Sequence, residues 1–160
     1  MKGAKFNRAR LVPIDEPSFY DWQRDRDALR RRFAWPLEGL LFDIEHNDLW
    51  LEEWGPKPES LEARKQRLTE LVERAPRLIP VYGHRYLLAE PRQAGNPVLS
   101  VYQDDIIVYG KDLRSYFLIE FADLLGLTHP DSQAALDDET MRTAGDIPFW
   151  GPLITHGAAD

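Results

Sequence analysis

The side chains with the most obvious chemistry to offer are four histidines, at positions 46, 84, 129 and 156, and acids grouped at 45–48, 104–105 and 137–139. No two histidines are spaced as His-x-x-x-His or His-x-His, and the chain contains no cysteine. Thiolate metal sites, cysteine nucleophiles and disulfides are therefore excluded. Glu45-His46-Asn47-Asp48 gathers several ligand types, but adjacent side chains point in different directions, and the stretch reads as a polar loop. His84 follows Gly83 between two apolar runs, where its ring can bond across a turn. To act as a general base it would need Asp43, Asp104 or Asp105 within hydrogen-bond reach. Asp104-Asp105 would suit glycoside hydrolysis only if its carboxyls faced one another across a cleft, and consecutive aspartates in a short connection form turns instead. Ser100 has no Gly-x-Ser-x-Gly frame, and no phosphate-binding or dinucleotide glycine pattern occurs. These residues predict no catalytic set, no metal site and no cofactor.

The elements that hold these residues follow from pattern. Pro13 and Pro17 make residues 1–17 a loosely docked lead-in. Ser18 can cap a helix over Phe19–Phe33, with Tyr20, Trp22, Leu29 and Phe33 as buried positions, and Trp35-Pro36 then ends it. Leu40–Glu45 reads as a short strand or a turn of helix. Trp50 and Trp54, four residues apart, can share one helical face, where they either cover the end of a sheet or form an exposed aromatic anchor. Ser60 opens an amphipathic helix with Leu61, Leu68, Leu71, Val72 and Ala75 on its apolar side, and Pro76 closes it.

Leu78–Tyr82 and Arg85–Ala89 are strands joined at Gly83-His84, and Pro80 places the first at an edge, a bend or a bulge. Val98–Tyr102 and Ile106–Tyr109, separated by Gln103-Asp104-Asp105, form a hairpin. Both its faces carry apolar residues, so the sheet is covered on one side and partly on the other. Asp112 caps a further helix with Leu113, Phe117, Phe121, Leu124 and Leu125 on its apolar side and Gly126 past its end. A shorter helix lies within 133–144, and Phe149-Trp150 dock before a fraying terminus. The pattern predicts one α+β domain over residues 1–160, with a central, mainly antiparallel sheet and packed helices.

Charge narrows the partners. Twenty Lys and Arg stand against 27 Asp and Glu, for a formal net charge of −7. That balance disfavours nonspecific contact with nucleic acid or anionic lipid. Between 112 and 160 nine acids face only Arg114 and Arg142, so this third is where a cationic partner would be attracted. The run Arg30-Arg31-Arg32 reads as a solvated helix end. No apolar run follows the basic start, and none is long enough to span a bilayer, so a soluble, cytoplasmic protein is expected.

Several unusual words occur in order: Trp50 to Pro58; Ala75-Pro76-Arg77-Leu78-Ile79-Pro80-Val81-Tyr82-Gly83-His84-Arg85-Tyr86; Gly95-Asn96-Pro97-Val98-Leu99-Ser100-Val101-Tyr102-Gln103; and Asp105-Ile106-Ile107-Val108-Tyr109-Gly110-Lys111-Asp112-Leu113. Together they resemble the SUKH superfamily, which includes the yeast cell-wall assembly regulator domain and many bacterial immunity proteins. The resemblance implies an α+β fold that binds protein partners and, in bacteria, typically neutralises a toxin, often a nuclease. It brings no catalytic residue. The expected function is a non-enzymatic immunity protein that binds a cognate, basic toxin. The alternatives are a regulatory or scaffold domain for an endogenous partner and an enzyme. Candidate contacts are Asp104, Asp105, Asp137, Asp138 and Glu139, with Trp50 and Trp54 as aromatic anchors.

Overall fold

The computed structural model describes residues 19–126 and 138–157, with side chains for 19–126 and 139–156. Four short runs rich in β-branched and aromatic residues build its centre: β1 (Leu78–Tyr82), β2 (Arg85–Leu88), β3 (Val98–Tyr102) and β4 (Asp105–Gly110). They pair antiparallel in the order β1-β2-β3-β4, so each strand neighbours the next in sequence. Tyr102 pairs with Asp105, which leaves Gln103-Asp104 as a two-residue turn, with Gln103 at φ 59°. Asp105, expected in the connection, is thus the first residue of β4. Pro80 lies on the edge strand beside a register irregularity between Pro80 and Tyr82, as its missing N–H requires.

Period-two alternation divides the sheet into two faces. Leu78, Tyr86, Leu88, Leu99, Val101, Ile106 and Val108 share the core face. Leu40 and Ile44 of α1 (Arg26–His46), Leu68 of α2 (Leu61–Arg74), Ala144 of α4 (Asp138–Gly145), and Leu153 and Ile154 of α5 (Trp150–Gly157) join them there. Fully burying each such aliphatic side chain stabilises the fold by roughly 1.5–3 kcal/mol before chain entropy is set against it. α3 (Leu113–Glu120) covers part of the opposite face, which is the predicted two-sided covering.

Two helices begin where their caps predict. The Ser60 hydroxyl accepts the Ala63 N–H at 3.2 Å, and α2 ends two residues before Pro76. Asp112 and Ser115 form a reciprocal capping box that opens α3. The apolar stripe expected over Leu113–Leu125 is cut short, because the helix ends at Glu120 and the chain turns. Leu124 is consequently 84% exposed and Leu125 55%. Trp150 docks as expected and donates its indole N–H to the Pro76 carbonyl at 2.8 Å. The chain beyond Trp150, expected to fray, instead continues as α5 to Gly157, because Leu153 and Ile154 bury against β4, and residues 158–160 lie outside the described residues. Of the helix expected within 133–144, residues 138–144 belong to α4, and the rest fall outside the described residues, as do 1–17 and the Ser18 cap.

The N-terminal helix departs most from expectation. The helix does not end before Trp35, and of the two readings at Leu40–Glu45 the helical one holds, since a single helix, capped by Asp25, runs from Arg26 to His46 straight through Pro36. Proline removes the N–H that would reach the Arg32 carbonyl four residues back. Tyr86, on the core face of β2, supplies the missing donor: its fully buried hydroxyl lies 2.8 Å from that carbonyl. Burial pushes the phenol's pKa well above its ordinary value, so the donor proton is retained.

A double-mutant cycle tests this arrangement. Tyr86→Phe leaves a buried carbonyl unpaired and is expected to cost about 1–3 kcal/mol in urea denaturation. In a Pro36→Ala background the new amide at position 36 can serve the Arg32 carbonyl, so the cost of Tyr86→Phe should drop by about 1 kcal/mol. An unchanged cost in that background would show that the hydroxyl is not replacing the missing helical bond.

Candidate functional site

The acids singled out from sequence are drawn apart by the fold. Asp43, on α1, is fully buried and accepts from three donors of the neighbouring structure. Its Oδ1 accepts the Gln103 side-chain amide at 2.6 Å and also the Asn47 amide, while its Oδ2 accepts the Asp104 N–H at 2.9 Å. The carboxylate thereby clamps the C-terminal half of α1 to the β3–β4 turn. Gly39, one turn earlier, permits this approach, since a Cβ there would lie 3.0 Å from the Gln103 Cα. Asp104 is held inside the clamp at 5% exposed, which corrects its expected role as a surface contact. Burial foremost, and the nearby Asp104 charge, raise the Asp43 pKa against the lowering effect of its hydrogen bonds.

Of the stretch expected as a polar loop, Glu45 and His46 form the last turn of α1, and its polar groups are also committed to the fold. Glu45 meets Lys65 of α2 at 2.5 Å, Asp48 meets Lys57 at 2.5 Å, and Asn47 serves Asp43. These contacts point three ways, and among the described residues no group of three or more histidines and acids is arranged to hold a metal ion.

Arg85 sits beneath α3 on the second face of the sheet, and His84 precedes it in the β1–β2 turn. The Arg85 Nε lies 3.1 Å from the Glu120 carboxylate, one of its terminal nitrogens donates to Ser100 Oγ at 2.9 Å, and its guanidinium stacks 3.8 Å from the centre of the Tyr109 ring. The same terminal nitrogen meets the His84 Nε2, so the ring's lone pair is engaged there. Asp43, one of the acids that could have made it a general base, is instead committed to the β3–β4 turn. Burial first, then the charges of Arg85 and Arg32, hold the His84 pKa down to about 4. Since that value lies below the ordinary 6.5, the unfolded chain takes up a proton that the fold refuses. This group therefore costs no stability above pH 6.5 and progressively more as pH falls to about 4. His84→Gln, which keeps an acceptor for Arg85, is expected to flatten the loss measured by urea denaturation between those two values.

The two aromatic candidates are placed differently. Trp54 is 3% exposed and stacks on Phe149 at 5.8 Å, so it belongs to the core and cannot anchor a partner. Trp50 packs edge-on against it, half-buried, with its indole N–H on the Gly55 carbonyl at 2.9 Å. Trp50 lies outside the single 3-10 turn, Glu52–Trp54, that holds Trp54, so the expected shared helical face does not form. Asp105 is exposed at the start of β4, and Glu139 is exposed but paired with Arg142 at 2.8 Å. Glu139 shares a cleft with Lys111, which follows the far end of β4 from Asp105. Asp137 and the Asp138 side chain lie outside the described residues.

One group of surface residues was missed by sequence reasoning. Trp22 and Phe33, expected inside, are 52% and 41% exposed and meet edge-to-face at 6.0 Å. Phe33 forms part of the wall of a cleft of about 480 Å³, whose other apolar lining includes Pro36, Leu37, Val72 and Pro76. With α1 running unbroken to His46, Arg26, Arg30, Phe33 and Leu37 fall on one flank of the helix, beside the buried stripe and not on it. A continuous helical wheel drawn through Pro36 would have shown this. Set beside known proteins, the chain matches no family model, no curated protein and no solved structure.

Proposed function

We propose that this chain is a non-enzymatic protein-binding domain of the immunity type, which neutralises a cognate toxin by direct contact. The observation that carries the reading is the exposed Trp22–Phe33 pair beside an open apolar cleft. Large aromatics held at the mouth of a concave apolar surface are what interface hot spots are made of, because covering them removes much apolar area from water at little cost in side-chain entropy. The reading also draws support from the commitment of Asp43, His84 and Glu120 to contacts within the fold. The toxin as partner rests on the resemblance to SUKH proteins and on the net charge of −7, which suits a basic target.

Co-expression with a toxin encoded beside this chain tests the proposal. The two proteins should co-purify and the toxin's activity should be lost. Trp22→Ser with Phe33→Ser should weaken the complex by at least about 30-fold, given roughly 2 kcal/mol or more for a hot-spot residue. Their exposure predicts little change in the thermal midpoint of the free protein. A toxin that neither co-purifies nor loses activity would defeat the immunity reading, and full affinity in the double variant would remove this face from it.

A further inference from the structure

A second cleft lies on the other side of the sheet and shares no lining residue with the one beside Phe33. Its volume is about 580 Å³, within the range of ligand-binding clefts. Ile79 and Leu87, cross-strand partners on β1 and β2, provide apolar floor that α3 leaves half-covered, and Leu113 on the first turn of α3 adds a side wall that is 38% exposed. The loop after β2 forms the opposite wall. It is braced from within: the Asn96 side-chain amide donates to the Leu88 carbonyl at 2.9 Å and to the Pro91 carbonyl at 2.7 Å, and the Gln93 N–H reaches Pro91 at 2.8 Å. Such a wall loses little freedom when a ligand arrives.

The charge of this cleft runs against that of the chain. Arg92 and Arg114 both line it, both are exposed, and neither guanidinium makes a hydrogen bond or ion pair among the described residues. The acid among the lining residues, Asp112, is turned to its helix, where its Oδ1 accepts the Ser115 N–H at 2.7 Å and the Ser115 hydroxyl at 2.8 Å. The adjoining cleft is lined by Lys111 and by Glu139, which is paired with Arg142. In a chain of net charge −7, two uncompensated guanidiniums over an apolar floor form a local, oriented exception. Arginine presents a planar fork that suits carboxylates in pairs of parallel bonds.

We infer that this cleft docks an acidic peptide segment of a partner protein, with an aliphatic or aromatic side chain on Ile79 and Leu87 and flanking carboxylates on Arg92 and Arg114. The contact goes beyond the toxin-binding face and has the opposite charge preference. A partner seated here would not occlude the Phe33 cleft, so the domain can hold two different segments together.

Amide shifts of the isotope-labelled full chain, followed by NMR during titration, test the inference. The probe is a blocked hexapeptide of alternating glutamate and leucine, taken to millimolar concentration. It should shift the amides of Ala89, Gln93, Gly95, Leu113 and Arg114, weaken with added salt, and bind at least about tenfold more weakly to Arg92→Glu/Arg114→Glu. The lysine-leucine counterpart should move none of these signals. Both arginines are exposed, so unchanged shifts elsewhere will confirm that the variant is folded. The inference is overturned if the acidic peptide leaves the cleft unmoved or binds the variant equally well. It is also overturned if decanoate or oligothymidylate gives the same shifts at lower concentration, or if these amides move only with protein concentration, which would assign the cleft to a free amphiphile, a nucleic acid or a second copy of the chain. None of these outcomes depends on the toxin or on Trp22 and Phe33, so the two readings stand or fall separately.

Discussion

Asp43→Ala is expected to lower the unfolding free energy by about 3 kcal/mol, a large share of the 5–15 kcal/mol typical of a domain. The substitution removes the acceptor for the Asn47 amide, the Gln103 amide and the Asp104 N–H together. Each buried donor left unpaired costs about 1–3 kcal/mol, but the carboxylate's own burial is unfavourable, as its raised pKa records, and that penalty disappears with it. The net effect is therefore smaller than the sum of three lost bonds. Asp43→Asn should cost less, about 1–2 kcal/mol, because one side of an amide can accept while its NH₂ must face a donor whichever way it is turned.

The pH dependence of the same pair identifies the cause. The Asp43 pKa is raised in the fold, so in the window above the ordinary 3.8 the folded chain binds a proton that the unfolded chain does not. Stability contributed by this group therefore rises as pH falls through that window, opposite in sign to the His84 effect. Asp43→Asn lacks this gain, so its deficit relative to the parent should widen as pH is lowered toward 3.8. Urea denaturation of both chains across that range reads the difference directly, and a deficit that narrows there would refute the assignment.

The sheet was legible because its determinants are local. Alternating β-branched residues, a short polar connection read at 103–105 and a proline confined to an edge strand define β1 to β4 to within a residue at that turn, and Ser60, Pro76 and Asp112 bound their helices by side-chain chemistry within three residues. The path of α1 was not legible for the complementary reason. Whether Pro36 breaks a helix depends on whether the stranded Arg32 carbonyl finds a donor, and that donor, Tyr86, is 54 residues away. The misplaced boundary then misassigned the surface. Trp22 and Phe33 were drawn inward as members of a shorter helix, and Asp104 was drawn outward as a turn residue, although turn chemistry says nothing about which helix lies over the turn. Trp54 shows the same limit, since its stacking on Phe149 does not follow from spacing.

Gly151→Ala should be at least as damaging as Asp43→Ala, by a route that involves neither charge nor unusual backbone geometry. A Cβ at position 151 would stand 2.0 Å from the Gly145 carbonyl oxygen and 3.0 Å from that of Ala144, and both obstacles are main-chain atoms that cannot rotate away. The Gly151 N–H also donates to the Ile147 carbonyl at 2.7 Å, which ties the start of α5 to the short connection after α4. Relief requires α5 to move away from α4. That movement withdraws Leu153 and Ile154, both almost fully buried, from β4 and stretches the bond from the Trp150 indole to Pro76. Overpacking of this kind costs about 3 kcal/mol or more when the obstacle is rigid. Gly95→Ala supplies the contrast: its Cβ would meet nothing within 4 Å, and only the positive φ of 91° opposes it, so a loss of about 1–2 kcal/mol is expected. Chemical denaturation gives the ranking, and the near-ultraviolet signal of the tryptophans gives the mechanism, since displacement of α5 must change the surroundings of Trp150 whereas Gly95→Ala must not. If Gly151→Ala were no more costly than Gly95→Ala, the close seam between α4 and α5 would have to be abandoned.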